Sequence, residues 1–124
     1  MTVTIRALTA TDAPQMRELR LLGLQTDAFA FGASFEAENQ QPIEFFQQRC
    51  LQTNDNVFFG AFIQDQIVGL MSLVREQNAK THHHANIYAV YTHPQFRGRG
   101  VAKQLLAVVI NKAKEWGVEY LQLG

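Results

Sequence analysis

Three of the eleven basic residues in this 124-residue sequence, Arg97, Arg99 and Lys103, fall within seven positions, with Gly98 and Gly100 between them. Basic side chains around glycines are the means of holding a phosphate: the cations supply charge, and glycine lets an anion approach the backbone. The flanking residues must position that loop. Upstream, residues 87–92 are rich in β-branched and aromatic side chains and read as a strand, which Pro94 stops because proline cannot donate to a sheet ladder. Downstream, Val101, Leu105, Val108, Val109 and Trp116 recur at helical spacing. A strand, a glycine-bearing loop and a helix start together make an anion site, since the first amides of a helix lack intrahelical acceptors and its dipole is positive there.

Two common phosphate motifs are excluded. No Gly-x-x-x-x-Gly-Lys-Ser/Thr run exists, and the dinucleotide fingerprint Gly-x-Gly-x-x-Gly fails because Lys103 stands at its third glycine. Arg97-x-x-Gly100-x-Ala102 instead resembles the Arg/Gln-x-x-Gly-x-Gly/Ala signature of the GCN5-related N-acetyltransferases (GNAT), placed as that family has it between a strand and an amphipathic helix. The resemblance implies that acetyl-CoA is the co-substrate. Its pyrophosphate is expected on Arg97, Gly98, Arg99, Gly100, Val101, Ala102 and Lys103. Its pantetheine arm is expected along the fourth strand, at Val90, Tyr91 and Thr92.

The bulk properties fit one intracellular domain. Hydrophobic residues make up 47%, enough for a core in a chain of this length. Eleven basic and eleven acidic residues cancel, which leaves no footprint for nucleic acid or an anionic membrane. One cysteine, Cys50, excludes an internal disulfide, fits a reducing cytoplasm and reads as a small apolar residue on a helix. No segment resembles a signal peptide, and the longest apolar run, residues 57–63, is too short to span a bilayer.

Taken in order, residues 3–8 alternate as a first strand, and a helix follows to about Gln25 with Ala13, Met16, Leu19 and Leu22 at helical spacing. Residues 26–41 form a longer connection in which Phe29, Phe31 and Phe35, punctuated by Gly32, read either as the lining of a substrate pocket or as the apolar underside of a loop, the second being favoured. Pro42 opens a second helix carrying Ile43, Phe46 and Cys50 on one face. Residues 57–63, apolar on both faces, read as a central strand, and residues 67–74 complete a hairpin with it. A polar turn over residues 75–84 leads to the strand before the basic loop. Gly117 ends the long helix, and residues 118–123 make a last strand. The expected fold is α/β (α+β), a mixed, mostly antiparallel sheet with flanking helices in the order β-α-α-β-β-β-α-β. That order, with Ile5-Arg6, Thr11-Asp12-Ala13 and the run from Ala28 to Gly32, resembles the GNAT family over essentially the whole chain.

The implied activity is transfer of acetyl from acetyl-CoA to a primary amine. A lysine-like amine is neutral in only about one molecule in 2,500 at pH 7, roughly 4.6 kcal/mol uphill, whereas an α-amino group costs about 1 kcal/mol. Histone acetyltransferases of the family carry a glutamate base on the fourth strand, and the matching position here holds Asn86, which takes no proton. His82, His83 and His84 have the right pKa range for a base but read as a solvated loop, and neighbouring histidines on extended chain diverge too far for a metal. Tyr88 and Tyr91 are candidate substrate-side groups, though each is more often a half-buried sheet residue. No catalytic base is assigned, and no metal is expected. Family members continue past the fifth strand into a helix with a cofactor-binding asparagine, an acidic tyrosine and two more strands. The sequence ends at Gly124, so it is expected to lack that part, to turn over slowly, and to self-associate through the uncovered edge of its last strand. The alternative, from a different functional class, is a non-catalytic CoA-binding or dimerisation module.

Overall fold

The computed structural model describes residues 2–26, 35–78 and 80–123. Five strands form one sheet in sequential order: β1 (Thr4–Ala7), β2 (Asn56–Ile63), β3 (Gln66–Arg75), β4 (His84–Thr92) and β5 (Tyr120–Leu123). Neighbours from β1 to β4 pair antiparallel, and β5 joins β4 parallel. The mixed, mostly antiparallel sheet is as the sequence led us to expect. Among the described residues, three helices precede β2: α1 (Ala13–Thr26), α2 (Phe35–Asn39) and α3 (Ile43–Arg49). The fourth, α4 (Val101–Glu115), links β4 to β5.

Two corrections concern boundaries. Among the described residues, the connection after α1 contains the one-and-a-half-turn helix α2 (Phe35–Asn39), so at least three helices rather than two separate β1 from β2. Its five residues are too few to show a period. Within that connection Phe35 opens α2, whereas the run from Ala28 to Gly32, with Phe29 and Phe31, lies outside the described residues. The second correction is at His84, which begins β4 instead of closing the preceding turn.

The sheet is covered on both faces. Val57, Phe59 and Ala61 of β2 pack with Val101, Leu105, Val109 and Ala113 of α4, spaced four apart as one helix stripe. Phe58 and Phe62 point the other way, into a cluster with Met16 and Leu19 of α1 and Phe46 of α3. Gly69 on β3 lets the start of α4 come close: a Cβ there would stand 3.0 Å from side-chain carbons of both Val101 and Leu105. On the opposite face, Arg20 of α1 grips Glu38 of α2 through two hydrogen bonds of 2.6 and 2.9 Å, and Arg49 of α3 reaches the same carboxylate at 3.3 Å. The three short helical segments are thus tied together by one buried ionic cluster. At the entrance to α1, the guanidinium of Arg6 holds the Asp12 carboxyl below the usual carboxylate range, and Asp12 in turn accepts the Thr9 amide at 2.8 Å.

Candidate functional site

β4 carries an extra residue. Leu70 stands opposite Tyr91 and Ser72 opposite Tyr88, so Ala89 and Val90 together face the one position between them on β3. Ala89 adopts φ +56°, the conformation that lets the strand absorb the insertion. The consequence is a change of parity. Ala85 and Ile87 face α4, whereas Tyr91, which would otherwise share their side, packs with the α1 and α3 cluster. Val90 is left exposed on the strand. β5 pairs with β4 over His84 to Ile87, and among the described residues no strand covers the outer edge of residues 88–92.

Beyond that edge the chain makes a short 3₁₀ turn, Pro94–Phe96, capped by His93, whose Nδ1 accepts the Gln95 amide at 3.1 Å. Gly98 and Gly100 follow with φ of +77° and +78°, both in the left-handed region that only glycine adopts freely. A Cβ on either would meet no protein atom within 4 Å, so the space beside them is open to a ligand. The hydrogen-bond ladder of α4 starts with the Gln104 amide on the Gly100 carbonyl at 3.0 Å. Helix geometry therefore leaves the amides of Val101, Ala102 and Lys103 without intrahelical acceptors.

These parts converge on a cleft of about 290 Å³ lined by Val90, Tyr91, Thr92, Phe96, Arg97, Gly98, Gly100, Val101, Ala102 and Lys103. Of the residues expected to hold the cofactor, Arg99 is the one that does not line it; its guanidinium lies 5.5 Å from the centre of the Phe96 ring. Phe96 was missed. Its only signal is an aromatic residue inside an otherwise polar loop. Arg97 is held by its Nε, which donates to the Thr92 carbonyl at 3.1 Å, with its guanidinium 5.4 Å from the Tyr91 ring centre. Open amides, a helix dipole and basic side chains suit a bound polyanion. A larger hollow of about 390 Å³ lies by the β2–β3 hairpin around Thr2, Arg6 and Asp65. There Arg6 is already paired with Asp12 and the lining comes from strands and their connections, with no helix residue in it, so the phosphate site is not placed there.

The remaining candidates are dispersed. His82 approaches Asp55, with Nε2 3.6 Å from Oδ1, but that carboxylate also takes the Arg75 Nε at 3.0 Å. His83 and His84 pack against the Tyr120 ring at 5.7 and 4.9 Å between centres, and the His83 carbonyl accepts the Glu119 and Tyr120 amides. They pin the start of β5 rather than form the solvated loop the sequence suggested. Among the described residues, no three His, Cys, Asp or Glu side chains converge as a metal site requires. Tyr88 is exposed and Tyr91 buried, so neither is half-buried as expected. Asn86 is half-buried on β4, paired with Val74 and Gln122. Cys50 is buried at the end of α3, where burial pushes its thiol up to about 11. Among the described residues, no helix is long and apolar enough to cross a membrane.

Comparison with known proteins places this arrangement. The model of the acetyltransferase (GNAT) family matches residues 19–124. No curated protein matches the sequence. Among solved structures, the chain resembles the ribosomal-protein-alanine N-acetyltransferase of Brucella melitensis biovar Abortus 2308 with a TM-score of 0.74, at 24% identity over 99% of this chain and 79% of that one. The PaiA N-acetyltransferase of Thermoplasma acidophilum, in complex with coenzyme A, superposes with a TM-score of 0.75 at 21% identity, over 95% of this chain and 76% of that one. An aminoglycoside acetyltransferase from an uncultured soil metagenomic sample, in complex with sisomicin, gives 0.74 at 21% identity, over 98% of this chain and 76% of that one.

Proposed function

The chain belongs to the acetyltransferase (GNAT) family, and from that premise we propose that it transfers an acetyl group from acetyl-CoA to a primary amine of a small molecule or protein. One observation carries the reading: open helix amides, two left-handed glycines and basic side chains meet in a cleft that continues onto the uncovered edge of β4. The pyrophosphate would lie on the amides of residues 101–103, with Arg97 and Lys103 beside it. Arg99, outside the cleft, contributes longer-range charge. The pantetheine arm would run along residues 90–92 and satisfy backbone groups as an added strand does. At the bulge, backbone groups of Ala89 or Val90 left out of the ladder are available to the thioester carbonyl, where a donor would stabilise developing negative charge.

The cofactor supplies an activated acetyl group; this chain's residues bind and orient it. The reading includes one domain acting in the cytoplasm, without a metal, nucleic acid or membrane, in keeping with equal numbers of acidic and basic residues. It also includes self-association across the outer edge of β5, where Tyr120 and Leu123 are exposed. A single monomeric species in sedimentation at high concentration would remove that element. Calorimetric titration with CoA, dephospho-CoA and pantetheine tests the cofactor assignment. The two pyrophosphate-bearing ligands should bind and pantetheine should bind far more weakly; equal affinity for all three would overturn it.

A further inference from the structure

The β4 bulge places the Tyr91 hydroxyl 3.0 Å from Thr26 Oγ1, at the last residue of α1 and 65 positions earlier in the chain. The Thr26 hydroxyl also stands within hydrogen-bond distance of the Leu22 carbonyl, at 2.9 Å. Either hydroxyl can donate in the Thr26–Tyr91 pair. Over the same tyrosine ring stands the guanidinium of Arg97, within cation–π range. Arg97 lines the cleft assigned above to the cofactor. The series Arg97, Tyr91, Thr26, Leu22 thus joins the cleft to the final turn of α1 by a ring contact and two hydrogen bonds.

We propose that Thr26 is a positioning residue through which an occupied cofactor cleft fixes the last turn of α1. The inference rests on the cofactor reading. Helix ends fray, and this end is tethered to the sheet through a tyrosine lying between it and the phosphate loop. A ligand that immobilises Arg97 also restricts the Tyr91 ring beneath it, so the tether loses less freedom when it forms.

Hydrogen–deuterium exchange of the 124-residue chain, with and without CoA, tests this. CoA should slow exchange of residues 98–105 and also of residues 22–26, the latter on the order of fivefold, the low end of measured couplings between sites. Thr26→Val removes the hydroxyl and keeps the shape; it should abolish the slowing at residues 22–26 and retain it at residues 98–105. Thr26→Ser should restore the first effect, and Tyr91→Phe should remove it from the other end of the bond. A purely structural role would alter exchange equally with and without CoA, so the difference between the two conditions is the readout. Slowing at residues 22–26 that survives both Thr26→Val and Tyr91→Phe would overturn the inference. Slowing at residues 98–105 alone in the parent chain would overturn it and leave the cofactor reading standing. Slowing at neither would overturn both.

Discussion

Gly100 sits at φ +78°, ψ 13° immediately before α4, a conformation that costs an L-residue about 1–2 kcal/mol. Valine, being β-branched, falls at the upper end. No protein atom lies within 4 Å of an added Cβ, so Gly100→Val should incur this conformational cost without a clash. For a domain of this length, about 3–5 °C of melting temperature is lost per kcal/mol, and a fall of roughly 5–10 °C is expected. The ligand should suffer more. The valine side chain would occupy the open space beside the loop and push a phosphate off the amides at the start of α4. Hydrogen bonds to charged groups are worth about 1.5–3 kcal/mol each, so losing two should weaken CoA by at least about 100-fold. Gly117 offers a matched control: it has φ +75° and equally open surroundings, but lies past the far end of α4. Gly117→Val should lose similar stability and keep CoA affinity. Calorimetric titration alongside thermal melts by circular dichroism measures both quantities. If folded Gly100→Val binds CoA within about threefold of the parent, a change below 1 kcal/mol, the pyrophosphate does not lie on this loop.

Further outcomes concern charge and burial. Arg97→Ala should weaken CoA more at low than at high salt, because part of its contribution is screened attraction, and Arg99→Ala should have the smaller effect because Arg99 does not line the cleft; titrations at two ionic strengths compare them. Glu38→Ala should cost about 3 kcal/mol, read from urea midpoints, since it removes the carboxylate of a buried ion pair that holds both Arg20 and Arg49. Burial raises the Cys50 thiol from 9.0 to about 11, so the unfolded thiol ionises first and the folded state loses this contribution as pH rises through that window. Urea midpoints should fall more steeply over that range in the parent than in Cys50→Ala, and parallel profiles would contradict the assignment.

What the sequence disclosed about the site was local. Strand, left-handed glycines and helix start follow one another within seventeen residues, and each is fixed by its own side chains. Pairings between distant segments were not visible. No glycine or proline marks the bulge at Ala89, whose conformation is imposed by the register of β3 against both halves of β4. The turning of Tyr91 onto Thr26 depends on that bulge and was equally hidden. Adjacent charges in a loop look alike in sequence, so the placement of the Arg99 guanidinium 5.5 Å from the Phe96 ring centre, away from the cleft lining, was not visible there. The ionic cluster of Arg20, Glu38 and Arg49 joins three helices through residues with no fixed spacing, so patterning could not reveal it.

Acetyl transfer by this chain is measured through amine-dependent release of CoA thiol from acetyl-CoA. The chain is incubated with acetyl-CoA and a panel spanning aminoglycosides, polyamines, free amino acids and peptides with a free α-amino group. Free thiol is followed with a chromogenic disulfide, with Gly100→Val as the parallel control. Saturable thiol release with at least one amine class is expected, with acetylation of that amine by mass spectrometry and near-complete loss in Gly100→Val. Tight binding of CoA with no thiol release above the protein-free rate for any amine would contradict it, and would leave the chain as a CoA-binding module.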